Sequence, residues 1–292
     1  MRVTEGMKYS QVLRNLGNIT SQHAEAAQEA STGIRVNKPS DDPIAAAQIA
    51  RLRASSSQTD AHLGTINVVR GDAELTEATL SSATDIFTRL KELALQSANG
   101  NLSAEDRKTM GVEVSGLKDA LIQLGNTRGN RGYIFSGSQV KTPAFDANGV
   151  FQGDDLEQEV PIGNSTPTVV STSGSQAFVV AGGRDVFADV DAFATALNTN
   201  DLSGLQGSID NISASHAQLV DAQARSGLVL SKLDASQSVL DSLDTQQQKA
   251  AQNAAAADPY ESYTRFTSLG QTLERAIAVS KQMLDLGGNN RF

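Results

Sequence analysis

A chain of 292 residues is long enough for two domains and a buried core, yet this one has no Cys, no Trp and only 4% aromatic residues. Thiol chemistry, zinc–thiolate sites and a disulfide framework are therefore excluded. A formal net charge of −9 argues against nucleic-acid binding, which needs a basic face for phosphates, and no apolar run of about 18 residues is present to span a bilayer.

Residues 1–30 hold no continuous apolar stretch, so no cleavable secretory signal is expected. They read as helix instead. Val12, Leu16, Ile19, His23, Ala26 and Ala30 step by four and three, the spacing of a coiled-coil seam, and Gly33 is placed to end that helix.

The segment RVNKPSDDPIAAAQIA, residues 35–50, follows. Asp41 and Asp42, with Asn37 and Ser40, offer oxygens that a hard cation could use, but the glycine and terminal glutamate of an EF-hand loop are missing. Pro39 and Pro43 fix their own φ and push Lys38 and Asp42 toward extended geometry. Asp42 then fits an N-cap and Pro43 the first helical position, where a missing N–H costs nothing. The segment, from Arg35 to Pro43, reads as a rigid joint between two helices.

A longer seam comes next. Ile66, Val69, Ala73, Thr76, Leu80, Ala83, Phe87, Leu90 and Ala94 keep the heptad, and a helix from Pro43 to about Ala98 would be roughly 80 Å long at 1.5 Å per residue. NGNLS (99–103) breaks it, and Ser103 with Asp106 makes a capping-box start. Met110, Val114, Leu117, Leu121 and Leu124 carry the next seam, which the short turn should set antiparallel to the one before.

From GNTRGNRG (125–132) the period changes, and that run reads as a glycine-rich hinge, with no GxxxxGK for a phosphate. YIFSGS, VFQG, EVPIG, PTVVSTS and QAFVV are short runs rich in β-branched and aromatic residues. Asn148-Gly149 between Phe145 and Phe151 is a hairpin-turn signal, and Ser173-Gly174 could close a second hairpin.

Helix resumes at DVDAFATALNTN. Leu202, Leu205, Ile209, Ile212, His216 and Leu219 form a seam, and Val229, Leu233, Leu240, Leu243, Ala250 and Ala254 a shifted one. Asp258 caps a last helix before Pro259, whose seam is Phe266, Leu269, Leu273, Ile277 and Leu284. His23, His62 and His216 all lie in phase with a seam. Each reads as a polar seam residue that fixes register, with no second ligand at metal spacing.

The fold class expected is mostly α with a β-rich insert: an elongated antiparallel helical bundle built from both termini. The divisions are an N-terminal assembly helix and joint (1–42), a helical hairpin (43–130), the β-rich insert (131–187), returning helices (188–240) and C-terminal assembly helices (241–292). Seams at both ends cannot bury themselves alone and must pair with each other or with other subunits. No GxSxG, HExxH or paired general acid and base appears, so the reading is of a protein that is no enzyme, with no cofactor and no metal.

The stretches EASTGIRVNKPSDDPIAAAQIARL, MRVTEGMKYSQVLRNL and GNRGYIFSGSQVKTPAF resemble the flagellin superfamily, and within it the hook–filament junction branch, which keeps the Pro-Ser-Asp-Asp-Pro form where filament flagellins usually carry alanines. The ending LDLGGNNRF departs from the Ser-Leu-rich stretch often found in that family. The resemblance implies a structural adaptor outside the cell, passed through the flagellar type III export apparatus with an export chaperone and without signal cleavage. It would assemble with itself, with hook-associated protein 1 and with flagellin, through terminal seams that include Val12, Leu16, Ile19, Phe266, Leu269, Leu273 and Ile277. The alternative is filament flagellin itself. More remote readings are an acidic metal-binding module and a secreted coiled-coil effector.

Overall fold

The computed structural model describes residues 5–162, 167–179 and 184–288. Helices α1 (Glu5–Thr32), α2 (Pro43–Ser97) and α3 (Ala104–Gly125) come first, followed by strands β1 (Glu159–Val160) and β2 (Thr168–Val169). Then come α4 (Gly174–Ala177), α5 (Val186–Thr199), α6 (Leu202–Ala255) and α7 (Pro259–Gly288). The chain divides into two compact units, Thr59–Ser242 and Met1–Gln58 with Leu243–Phe292.

In the Thr59–Ser242 unit the α2 seam is buried at all nine positions read from the sequence, from Ile66 to Ala94. The α3 start also follows its local signal. Ser103 caps the helix, its hydroxyl accepting from Asp106 N–H at 3.1 Å while Asp106 Oδ2 accepts from Ser103 N–H at 3.2 Å. Arg89 pairs with Glu113 at 2.8 Å and Arg107 Nε donates to Ser97 O at 3.0 Å, so α2 and α3 run antiparallel. Lys118 meets Asp191 at 2.6 Å and Arg107 meets Asn200 Oδ1 at 2.8 Å, which sets α5 antiparallel to α3.

Along α6 the buried series is Leu205, Ser208, Ile212, Ser215, Leu219, Ala222 and Ser226, stepping by three and four. Three serines occupy seam positions that a hydrophobic pattern does not flag. Ser208 turns its hydroxyl onto its own helix, to Gly204 O at 2.8 Å, so its small side chain sits buried with its donor satisfied. Leu202 and Leu243, predicted on the seams, stand 50% and 40% exposed; Leu202 lies one step off this alternation, whereas Leu243, three residues past the buried Leu240, keeps it and is still exposed.

The 131–187 insert holds less strand than its composition suggests. Among the described residues it has one antiparallel two-stranded sheet, Glu159 opposite Val169 and Val160 opposite Thr168, plus isolated bridges such as Phe145 with Phe151. Residues 163–166 and 180–183, which take in the last residue of the expected EVPIG and QAFVV strands, lie outside the described residues. Asn148-Gly149 makes its turn, with Gly149 at φ 87°. Ser173-Gly174 does not close a hairpin: Ser173 caps α4, accepting from Ser175 N–H at 3.3 Å.

The aromatic residues that read as strand formers instead build a core. Phe178 meets Phe135 and Phe145 edge-on at 5.3 and 5.4 Å, and Phe145 meets Phe187 at 4.8 Å. Gly125 ends α3 against this cluster, where a Cβ would come within 2.6 Å of the Phe145 ring. Asn126 then pairs with Phe145 as a strand would, donating to its carbonyl at 2.8 Å and accepting from its N–H at 2.9 Å.

The GNTRGNRG loop is tied down. Asp72, 6% exposed on α2, accepts from Asn130 N–H at 2.7 Å and from Arg131 Nε at 2.6 Å. A buried carboxylate between Val69 and Ala73 was the sequence signal for that tether.

Candidate functional site

The unit formed by Met1–Gln58 and Leu243–Phe292 carries both the joint and the terminal helices. Helix α1 stops at Gly33, whose φ of 68° is the left-handed conformation glycine adopts without a Cβ clash, and whose N–H donates to Glu29 O at 2.9 Å. The chain then runs antiparallel to the link between α6 and α7. Ile34 bridges Ala256, Arg35 N–H donates to Ala255 O at 2.8 Å, and Ala257 N–H donates to Gly33 O at 2.8 Å. Val36 and Ala257 are buried there. This backbone docking was not legible beforehand, and the AAAA run before Asp258 is its faint signal: small side chains let two backbones approach.

Asp41 folds the loop on itself. Its Oδ2 accepts from Asn37 N–H at 3.0 Å and Lys38 N–H at 2.8 Å, while Asn37 Nδ2 donates to Ile34 O at 3.2 Å. Asp42 Oδ1 accepts from Ile44 N–H at 3.1 Å and Ala45 N–H at 3.0 Å, so Asp42 is the N-cap of α2 and Pro43 its first residue. Asp42 Oδ2 receives Arg35 at 3.1 Å. Pro39 stands exposed at the outside of the turn.

Both carboxyls lie below the ordinary carboxylate range. Asp41 is lowered chiefly by the Lys38 N–H, and Asp42 chiefly by the Ala45 N–H and then by Arg35. Their oxygens are thus already engaged by N–H donors that a cation would have to displace. Among the described residues no group of three or more His, Cys, Asp or Glu is placed to hold a metal ion. No helix there is long and apolar enough to cross a membrane.

The second feature is the pairing of α1 with α7. His23 meets Phe266 at a tilt, ring centroids 5.0 Å apart, and Glu29 pairs with Arg265 at 3.4 Å, while Gly33 meets Ala257, which sets the helices antiparallel. Val12, Leu16, Ile19 and His23 are half-buried, as are Phe266, Leu269 and Leu273. Among the described side chains of this pair, only Ala26 and Ser262, near the joint, are fully buried.

Ile277 is 48% exposed, off the seam on which the sequence placed it. The half-buried positions there are Ala276 and Ser280. Two consecutive steps of four, 269 to 273 to 277, outrun the 3.5-residue period, whereas 266, 269, 273, 276 and 280 keep it. Leu284 lies outside the described side chains. Tyr9, Leu13 and Val279 are each about half exposed toward the end of the pair remote from the joint, and Tyr260 and Tyr263 are exposed near it.

Residues 3–140 match the family described as bacterial flagellin N-terminal helical region, which takes in α1, the joint, α2 and α3. The flagellar hook-associated protein 3 of Escherichia coli (strain K12) is 30% identical over 213 residues, 68% of this chain and 67% of that protein. This chain belongs to the flagellar hook-associated protein 3 family.

A second member of the hook-associated protein 3 family, from Salmonella typhimurium, is 31% identical over 180 residues, 61% of this chain. The chain spans 57% of that relative's length. The solved structure of a flagellar hook-associated protein from Vibrio parahaemolyticus covers 74% of this chain and 100% of its own, with a TM-score of 0.69 at 20% identity, which establishes a shared fold.

Proposed function

We propose that this chain is a structural component of the bacterial flagellum, joining hook-associated protein 1 at the hook end to the flagellin filament. The observation that carries the reading is the half-buried seam of α1 and α7 with Tyr9, Leu13, Ile277 and Val279 exposed beside it. Such a seam gains burial only from neighbouring subunits, and that burial offsets the entropy of ordering the terminal helices.

In this reading residues 1–42 and 241–292 form the assembly part, and 43–130 with 188–240 form the helical body that carries the 131–187 insert. The joint Arg35, Asn37, Pro39, Asp41, Asp42 and Pro43 sets the path from α1 into α2. An open groove of about 740 Å3 beside the joint, lined by Val36, Pro39, Ile49, Leu52, Gln247 and Ala251, gives a neighbouring subunit a second place to pack. The protein reaches its extracellular place through the flagellar type III export apparatus, accompanied by an export chaperone, and works without catalysis or cofactor.

Mixing the purified chain with flagellin seeds and with hook-associated protein 1, followed by electron microscopy, tests this. Short caps bridging the two partners are expected. Long filaments grown from the chain alone would show it to be a filament flagellin.

A further inference from the structure

The turn between α2 and α3 contains Asn99-Gly100, and the loop of the insert contains Asn148-Gly149; the two are built differently. We propose that Asn99 is a self-modification site, at which the chain converts its own asparagine to aspartate and isoaspartate through a succinimide, whereas the fold protects Asn148. The step needs the backbone nitrogen of the following residue as nucleophile, an electrophilic side-chain amide carbon, and room for a five-membered ring.

All three are present at Asn99. Among the described residues no acceptor engages the Gly100 N–H, and a Cβ built on Gly100 would meet nothing within 4 Å. The carbonyl of the attacking peptide unit, Asn99 O, accepts from Arg107 Nη2 at 2.8 Å. Arg107 is 3% exposed and held in place by Ser97 O and Asn200 Oδ1. A buried cation on that carbonyl draws electron density from the adjoining nitrogen and stabilises its deprotonated form. Asn101 N–H donates to Asn99 Oδ1 at 3.2 Å, polarising the side-chain amide and standing where negative charge develops on that oxygen.

The balance is simple. Gly100 N gives its proton to water or hydroxide and attacks Asn99 Cγ; the C–Nδ2 bond breaks and ammonia departs. Water then opens the ring at either carbonyl, leaving an aspartate or an isoaspartate. The product adds one negative charge beside Arg107, and the isoaspartate form lengthens the backbone that Arg107 staples.

Asn148 lacks this arrangement. Gly149 N–H is committed to Asp146 O at 3.0 Å, and a Cβ at Gly149 would lie 2.8 Å from the Phe187 ring, so the nucleophile is engaged and the space filled.

The test holds the folded full chain in mildly alkaline buffer and follows the one-dalton gain at each peptide by mass spectrometry, with isoaspartyl methyltransferase labelling. The same is done in denaturant. Asn99 should react roughly tenfold faster folded than unfolded, the size of one charge-assisted hydrogen bond, and Asn148 slower folded than unfolded. A folded Asn99 rate equal to or below its unfolded rate overturns the proposal, whatever variants do. Arg107→Lys, if folded by circular dichroism, should lose most of the acceleration, and an unchanged rate there also overturns it. Gly100→Ala, which the open space accommodates, assigns the signal to this bond.

Discussion

Arg35 and Asp42 meet across the joint at 3.1 Å, with the second Asp42 oxygen capping α2. One carboxylate therefore both starts a helix and anchors the strand-like segment that leads into it. Asn37 and Asp41 close the loop between them, and Pro39 and Pro43 restrict the backbone on either side of the aspartates.

Replacing both Pro39 and Pro43 with alanine should leave the α1–α7 pairing folded and impair bridging between hook-associated protein 1 and flagellin. Circular dichroism and the bridging assay separate the two effects. Unchanged bridging would remove the joint from the mechanism.

The joint should also loosen in acid. The Asp42 carboxyl is lowered from its ordinary 3.8 by the Ala45 N–H and Arg35, so its contribution is fully present above that value and is lost as pH falls through the lower folded value. Amide exchange at Ile44 and Ala45 should accelerate across that window, and Asp42→Asn should flatten the response.

His216 predicts a sensitivity of the same direction, nearer neutrality. Burial, then the nearby Lys91, lowers its pKa below 6.5. The neutral form suits the fold, so its stability is fully present above 6.5 and is lost as pH falls through the lower folded value. Melting curves of His216→Gln should lose that slope.

In the insert, Phe145→Ala should cost about 3–5 kcal/mol in denaturant unfolding, since it empties the centre of the phenylalanine cluster. Gly125→Ala should cost about 1–3 kcal/mol by forcing the Phe145 ring aside. Asp72→Ala frees the 125–132 loop and should cost about 2 kcal/mol, with a local rise in exchange at Asn130.

Leu13→Asp with Ile277→Asp tests the terminal pair. Both side chains are about half exposed, so monomer stability should change by no more than about 0.5 kcal/mol while bridging is lost. A large drop in monomer stability would place them in the fold and not in assembly.

The helices, their caps and the long α2 seam were legible in the sequence because each depends on neighbours three or four residues away. Ser103 with Asp106, Asp42 with Pro43, and Ile66 to Ala94 all obey that local rule. The joint was legible for the same reason, since two prolines and two aspartates act on their own backbone.

Tertiary structure decided what local pattern cannot carry. Aromatic and β-branched residues have no fixed choice between a strand and a packed cluster, and contacts among Phe135, Phe145, Phe178 and Phe187 settled it for the insert. Serine carries no apolar signal, so the places of Ser208, Ser215 and Ser226 in the α6 seam depended on how closely a partner could approach. Docking of Arg35 on Ala255 joins segments more than two hundred residues apart, where spacing along the chain says nothing. On α7 a single extra step of one residue put Ile277 outside, because the period that matters is set by the partner helix and not by the residue's own hydrophobicity.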